Sequence, residues 1–203
     1  MEKPLEELAE AMNVLTPERA ALIRRIMRAG LDIFTTYEPR HLRDYAPRVS
    51  ADVRNSHIVG EARRQTEGRT DFRVTVQRGR ILFIIEERLC LSFKKLDRRL
   101  RSRNIPTRQA RRFDRQLPLG FDLPPALTNI IAGYTLDRVG TPTAMFVTCP
   151  NDKENHWVLP LGVAADVAAP LALPMTPTAP APRLRVIPKP GQMPKRESDG
   201  PTE

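Results

Sequence analysis

The side chains best suited to chemistry in this sequence are the basic residues of one stretch, FKKLDRRLRSRNIPTRQARRFDRQL, residues 93–117. Between Lys94 and Arg115, ten residues are arginine or lysine and two are acidic. A guanidinium group donates parallel hydrogen bonds to pairs of oxygen atoms, so closely spaced arginines are suited to holding phosphate groups. This composition favours a nucleic-acid or other anionic partner.

Helical periodicity predicts two short helices here, a basic helix pair over residues 94–116. In each helix the apolar side chains fall on one side and the basic side chains on the other. Asn104 is expected to end the first helix, and Thr107 is expected to cap the second. The predicted phosphate-binding residues are those of the basic faces: Arg98, Arg101, Arg108, Arg111, Arg112 and Arg115.

Two short helices joined by a tight connection resemble a helix-turn-helix, in which the second helix enters the major groove of DNA. Arg99 and Arg103 stand where that motif has apolar residues. Despite this departure, the resemblance makes duplex DNA the first candidate ligand. Single-stranded nucleic acid is less favoured, because the chain has 11 aromatic residues and most fall in predicted strands or core faces.

A pair of carboxylates in DFRVTVQRGRILFIIEE, residues 71–87, is the other candidate site. Gly79 interrupts two alternating apolar runs, which predicts a β-hairpin whose register places Asp71 opposite Glu86. Two carboxylates at a hairpin end resemble the metal-binding acidic residues of restriction-type nucleases. Arg88 stands where those enzymes have a lysine, and an arginine does not readily release its proton. A metal-dependent nuclease is thus the third hypothesis, and a salt-bridged strand surface is the simpler interpretation.

The elements that would position these residues indicate an α+β fold. The first 66 residues have helical periodicity, with Thr16 as a predicted N-cap and a later helix opening at Pro47. After the basic stretch, two β-rich runs and a polar turn before Trp157 predict a meander of three antiparallel strands. With the hairpin, this makes an antiparallel sheet of about five strands. We predict a single α+β domain over residues 1–160, with the basic helices inserted between hairpin and meander.

The positive charge is concentrated in the middle of the chain. The formal net charge is +9, and residues 54–116 carry 18 Lys and Arg against 7 Asp and Glu, whereas the segments on either side are close to neutral. No run of 18 apolar residues occurs and the N-terminus is acidic, so we expect a cytoplasmic protein without a membrane span. The two cysteines form no CxxC pair, and no metal site or cofactor is predicted.

From Pro160 to Glu203 the composition changes, since this segment, including Pro160, holds 10 of the 20 prolines. We predict a disordered Pro/Ala-rich tail over residues 161–203. Within it, RLRVIPKP, residues 183–190, could add as a strand to the sheet of a protein partner. A protein-interaction module that uses the basic face and this tail is therefore the alternative function.

Three segments, PRHLRDYAPRVSADVRNSHIVGEARR, RNIPTRQARRF and GYTLDRVGTPTAMFVTCP, together resemble uncharacterised small basic proteins of bacterial mobile elements. The resemblance covers about residues 37–160 and carries no functional motif. It implies a bacterial cytosolic setting and no particular activity.

Overall fold

The computed structural model describes residues 5–102, 107–120, 123, 124 and 126–163. Within them the predicted α+β class is confirmed, with helices packed on one six-stranded sheet. The helices are α1 (Leu8–Val14), α2 (Pro17–Thr35), α3 (Pro39–Arg43), α4 (Pro47–Thr66) and α5 (Arg108–Asp114). The strands are β1 (Phe72–Gln77), β2 (Arg80–Ile85), β3 (Leu89–Lys95), β4 (Thr128–Leu136), β5 (Pro142–Asn151) and β6 (Glu154–Val163).

The two long helices begin where the sequence predicts. The Thr16 hydroxyl accepts a hydrogen bond from the Arg19 N–H at 3.4 Å, and proline occupies the first turn of both α2 and α4. These helices approach each other closely at Gly30, where an added Cβ would lie 2.5 Å from the Ile58 Cα. The absence of a side chain at Gly30 is therefore what allows α2 and α4 to pack together.

The strands follow one another in the sheet in the order β1-β2-β3-β4-β5-β6. The predicted hairpin register is confirmed: Phe72 lies opposite Ile85, and Gln77 lies opposite Arg80. The meander of β4, β5 and β6 is also antiparallel, as predicted. The sheet has six strands where we expected about five, because LCLSFKK forms β3, which pairs in parallel with β4. The sheet is therefore mostly, and not wholly, antiparallel.

The prediction of a first basic helix beginning at Lys94 is wrong. Lys94 and Lys95 are the last residues of β3. The Leu96 N–H continues the ladder by donating to the Tyr134 carbonyl at 2.9 Å, and the Leu96 side chain covers the bare backbone of Gly133. Burial of Leu96 against the sheet prevails over the helical periodicity of the segment.

After Leu96 the chain makes a tight turn, not a helix. The Asp97 carboxylate accepts hydrogen bonds from the backbone N–H groups of Arg99 and Arg101 at 2.8 and 3.1 Å, and Leu96 forms an antiparallel bridge with Ser102. A short acidic side chain that binds nearby N–H groups competes with helix formation. The helix-turn-helix interpretation therefore lacks its first helix, and the predicted connection, residues 103–106, lies outside the described residues.

The second basic helix is confirmed as α5. The Thr107 hydroxyl accepts from the Ala110 N–H at 3.1 Å, as expected for an N-cap. Ala110 and Phe113 are its buried residues. Phe113 packs in a cluster with Leu82, Ile84, Cys90 and Ile131 on one face of the sheet. The other face packs in a separate cluster with α1, α2 and α4, so described elements cover both faces.

Strand β6 runs to Val163, with Leu161 only 8% exposed, so regular structure continues past residue 160, where we expected the domain to end. Residues 164–203, including the segment 183–190 predicted to dock as a strand, lie outside the described residues. None of the described helices has the length and apolarity needed to cross a membrane.

Candidate nucleic-acid interface

A cleft opens where β2 and β3 separate. Their pairing covers three residues on each strand and ends at Phe83 opposite Leu91. Beyond that point Arg80 and Lys94, which the same register would have placed opposite each other, line a cleft of about 1430 Å³ instead. Its walls come from one face of α4, the β1–β2 turn, the turn after β3, and the N-terminal end of α5.

The walls of this cleft are strongly basic. Two acidic residues, Asp52 and Asp97, line it. The basic residues that line it are Arg48, Arg63, Arg78, Arg80, Lys94, Lys95, Arg98 and Arg99. A concave surface lined by one sign of charge concentrates the electrostatic potential and attracts ligands of the opposite sign. The cleft is therefore suited to an anionic ligand.

Most of the basic side chains in the walls are available to a ligand. Arg48 is paired with Asp52 at 3.8 Å, although both side chains are exposed. In the part of the chain that the structure describes, no ion pair is formed by the following wall residues: Arg63, Arg78, Lys95, Arg98 and Arg99. A phosphate that binds them has no internal carboxylate to displace.

Among the described basic residues that line the cleft, Arg80 and Lys94 are the two that are partly buried, whereas the others are exposed. The Arg80 guanidinium lies over the Phe113 ring, 4.1 Å from its centroid, and donates to the Ser92 hydroxyl at 3.0 Å. Its buried Nε has no hydrogen-bond partner among the described residues. Burial lowers the pKa of both Arg80 and Lys94, and the charge of Arg80 lowers the pKa of Lys94 further. The two positive charges are thus held in an environment that disfavours them.

The predicted phosphate-binding residues fall into two groups. Arg98 lines the cleft, and Arg101 lies in the turn after β3. The other four, Arg108, Arg111, Arg112 and Arg115, are carried by α5 and the residue that ends it. They share one side of α5, because Ala110 and Phe113 occupy the buried side.

The four α5 arginines differ in their freedom to bind. Arg108 and Arg111 are exposed, and neither makes an ion pair with another described residue. Arg112 donates from its Nε to the Pro118 carbonyl at 3.0 Å, and Arg115 is paired with Asp152 at 2.9 Å. The structure therefore leaves Arg108 and Arg111 freest to contact an anion.

Sequence reasoning missed the wall residues contributed by α4 and by the hairpin turn, notably Arg63, Arg78 and Arg80. Arg78 and Arg80 flank Gly79, and a basic residue on each side of a turn glycine was an available signal. No comparable signal marks Arg63, since arginines on a helix face are ordinarily solvated. Arg63, Arg78 and Arg80 line one cleft with residues of β3 because β2 and β3 separate there.

A glutamine anchors the C-terminal end of α5 to the sheet. The Gln116 amide donates to the carbonyls of Asn129 and Pro150 at 2.9 and 2.6 Å and accepts from the Asn129 N–H at 2.7 Å. The Asn129 side chain in turn donates to the Phe113 carbonyl at 3.1 Å. These bonds fix the orientation of the arginine-bearing helix.

The two carboxylates of the nuclease hypothesis both contact one arginine. The Arg19 guanidinium binds Asp71 at 2.9 Å, contacts Glu86, and donates to the Val14 carbonyl at 2.7 Å. Asp71 also binds Arg69 at 2.8 Å. Among the described residues no group of three or more His, Cys, Asp or Glu side chains is placed to hold a metal ion. The end of the hairpin is therefore a salt-bridged surface, the simpler of the two interpretations of the sequence. Its ion pairs connect α2 to the ends of β1 and β2.

This ion network makes stability depend on pH. Hydrogen bonds from Arg69, then from Arg19, lower the pKa of Asp71 from 3.8 to about 2. The Asp71 carboxylate therefore stabilises the fold above its ordinary pKa, and that contribution is lost as the pH falls from about 4 through about 2. We expect Asp71→Asn to lower the free energy of unfolding by about 1–2 kcal/mol at pH 7.

Urea unfolding of both proteins between pH 7 and pH 2.5 measures this effect. The difference between wild type and Asp71→Asn should shrink toward the acid end. Asp32→Asn, at a carboxylate that is 68% exposed, is the control and should stay within about 0.5 kcal/mol of wild type. A difference that is constant across the pH range would contradict the assignment to Asp71.

Comparison with known proteins adds no family to this description. No family model matches the chain, and no significant match was found among curated proteins or solved structures. Its function is therefore inferred from the chemistry of the cleft and of α5.

Proposed function

We propose that the protein is a non-catalytic nucleic-acid-binding protein that contacts the phosphates of duplex DNA. The observation that carries this proposal is a set of exposed cations, around the cleft and on α5, that form no ion pair with another described residue. We call this set the basic face: Arg78, Arg98, Arg99, Arg108 and Arg111. Thr107 and Gln109 line the cleft, so α5 joins the cleft wall to the exposed arginines.

The expected mode of binding is contact with the phosphate backbone. Because the first predicted helix is replaced by the turn after β3, Arg98 and Arg99 are presented from a loop and Arg108 and Arg111 from a short helix. Such an arrangement grips phosphates without aligning a long helix in the major groove. We therefore expect binding that depends weakly on base sequence and strongly on salt.

An acidic protein is the competing partner for the same surface. Arginine favours phosphate because its planar donors match pairs of phosphate oxygens, and a duplex offers such groups in regular succession. A bacterial cytosolic setting, implied by the resemblance of the sequence, agrees with DNA as the partner and remains a prediction.

The proposal is tested by fluorescence anisotropy with a labelled duplex of arbitrary sequence at 50 and 200 mM salt. If about five phosphates are neutralised, the logarithm of the association constant should fall against the logarithm of salt concentration with a slope of about −4 to −5. Replacing Arg98, Arg108 and Arg111 with glutamine should weaken binding at least about tenfold at low salt and make the slope shallower by about 3.

The matched control removes the same charge at positions that neither line the cleft nor lie on α5. Its changes are Arg24→Gln, Arg25→Gln and Arg40→Gln, at exposed positions of α2 and α3. This control should bind within about threefold of wild type, since its charges lie outside the basic face. Absence of binding by folded wild type at low salt, or an equal loss in both variants, would overturn the proposal.

A further inference from the structure

Two half-buried cations, Arg80 and Lys94, line the cleft, and no carboxylate of the described residues is in salt-bridge contact with either. Arg80 forms no ion pair among the described residues, and neither does Lys94. The acidic group that faces both from α5 is Asp114, whose own pKa is raised by burial. Asp52 on α4 also acts on Lys94 through its charge. Neither carboxylate lies close enough to either cation to form an ion pair.

This arrangement is costly for the protein alone. Two like charges withdrawn from water repel each other and lose hydration, and folded proteins usually pair such groups. Here Arg80 is held in place by the Phe113 ring and the Ser92 hydroxyl, so it cannot move away from Lys94 without losing those contacts. The buried Nε of Arg80 has no acceptor among the described residues, which adds to this cost. The site has the charge and the donors to hold an anion with two negative charges.

We propose that Arg80 and Lys94 form a binding site for the dianion of a phosphomonoester, either the terminal phosphate of a nucleic-acid strand or a free nucleotide monophosphate. A phosphomonoester carries close to two negative charges at neutral pH, whereas each internal phosphodiester carries one. The dianion matches the charge of the two cations. The site thereby differs from the basic face, whose exposed arginines suit the phosphodiester backbone.

The cleft has room for more than a phosphate group. Its volume of about 1430 Å³ exceeds what a single phosphate needs, and the space beside Arg80 and Lys94 is continuous with the mouth lined by Arg98 and Arg99. A nucleotide or the end of a strand can therefore enter with its phosphate innermost. If the phosphate belongs to a strand, this inference deepens the proposed function by specifying recognition of the strand end. If it belongs to a free nucleotide, the site does not depend on DNA binding.

Lys94 and Lys153 provide a matched pair of variants. Lys94 is half-buried in the cleft, whereas Lys153 is exposed in the turn between β5 and β6 and does not line the cleft, so Lys94→Gln and Lys153→Gln make the same charge change in different surroundings. The Lys94 side chain makes no hydrogen bond or ion pair with another described residue, and the variant keeps the backbone pairing of Lys94 with Gly133, so its replacement should leave the fold intact. Arg80 is a poorer choice, because its loss also removes the contacts with Phe113 and Ser92.

The test uses the full chain and three probes. The first two are adenosine 5′-monophosphate, compared with adenosine, and inorganic phosphate, both measured by isothermal titration calorimetry. The third is a short labelled duplex with 5′-phosphate or 5′-hydroxyl ends, measured by anisotropy. We expect wild type and Lys153→Gln to favour a phosphorylated probe over its unphosphorylated form by about tenfold, and Lys94→Gln to lose that preference.

The outcomes separate the two sources of the phosphate and separate this inference from the proposed function. A preference seen with the duplex ends assigns the site to strand termini, and a preference confined to the mononucleotide assigns it to free nucleotides. Mononucleotide binding without duplex binding would support the site while removing the proposed function. Duplex binding with no preference for any phosphomonoester, or a preference that survives in Lys94→Gln, would overturn the site and leave DNA binding standing.

Discussion

Replacing Gly30 with alanine is expected to lower the free energy of unfolding by about 3 kcal/mol or more. An alanine Cβ at this position would lie 2.5 Å from the Cα and 2.6 Å from the backbone nitrogen of Ile58. Backbone atoms cannot rotate aside as a side chain can, so α2 and α4 would have to move apart. Ile58 is fully buried at this contact, and the separation would open the core that both helices share with the sheet.

The direction of the change in the free energy of unfolding distinguishes a steric clash from the usual effect of this substitution. Glycine to alanine inside a helix normally stabilises a protein by about 0.5–1 kcal/mol, because alanine loses less conformational freedom on folding. Gly60→Ala in α4 is the matched control, since the nearest atom to its added Cβ is the Arg64 guanidinium nitrogen at 3.6 Å, at the end of a flexible side chain. Urea unfolding should show opposite changes in the two variants. A Gly30→Ala protein as stable as wild type would refute the close contact between α2 and α4.

Replacing Gln116 with alanine is expected to lower the free energy of unfolding by about 2–4 kcal/mol. The change leaves the N–H of Asn129, a residue only 2% exposed, without its acceptor. It also removes a donor from the Asn129 and Pro150 carbonyls. Buried backbone groups that lose their partners cost more than an average hydrogen bond contributes. Residue 116 has a φ of 58°, at which glutamine and alanine are both unfavourable. The loss of stability in Gln116→Ala therefore reports the missing hydrogen bonds and not a change in backbone strain.

Gln109→Ala is the control for this variant, because the Gln109 side chain donates one hydrogen bond, to the Gln77 carbonyl at 2.9 Å. Its loss should cost about 1 kcal/mol or less in chemical denaturation. Hydrogen exchange should show faster exchange in α5 of Gln116→Ala under conditions where the sheet remains protected. If α5 holds Arg108 and Arg111 in place for DNA, duplex binding should also weaken in this variant. Unchanged stability would show that the Gln116 bonds are not an anchor.

Several elements could be predicted because their determinants are local. Thr16 and Thr107 cap helices through hydrogen bonds to residues three positions ahead. The hairpin register follows from a turn at Gly79 and from alternation in the flanking runs. The apolar and basic sides of α5 follow from the helical period of its sequence, which places Ala110 and Phe113 on the buried side. In each case neighbours in sequence supply the interaction that decides the structure.

Other features depend on residues distant in sequence, and no local pattern reveals them. Leu96 joins the sheet because Gly133, 37 positions later, leaves space for its side chain, and this contact replaces the predicted first helix with a turn. Arg19 reaches Asp71 and Glu86 across 52 and 67 positions. The cleft lies where the pairing of β2 with β3 ends at Phe83 and Leu91, whereas β3 stays paired with β4 along its whole length. Residues of α4, the hairpin turn and α5 line this cleft together with Arg80 and Lys94. Charge composition favoured an anionic partner as a prediction. Long-range packing decided which basic side chains line the cleft, because burial and backbone pairing outweigh helix propensities of a fraction of a kcal/mol per residue.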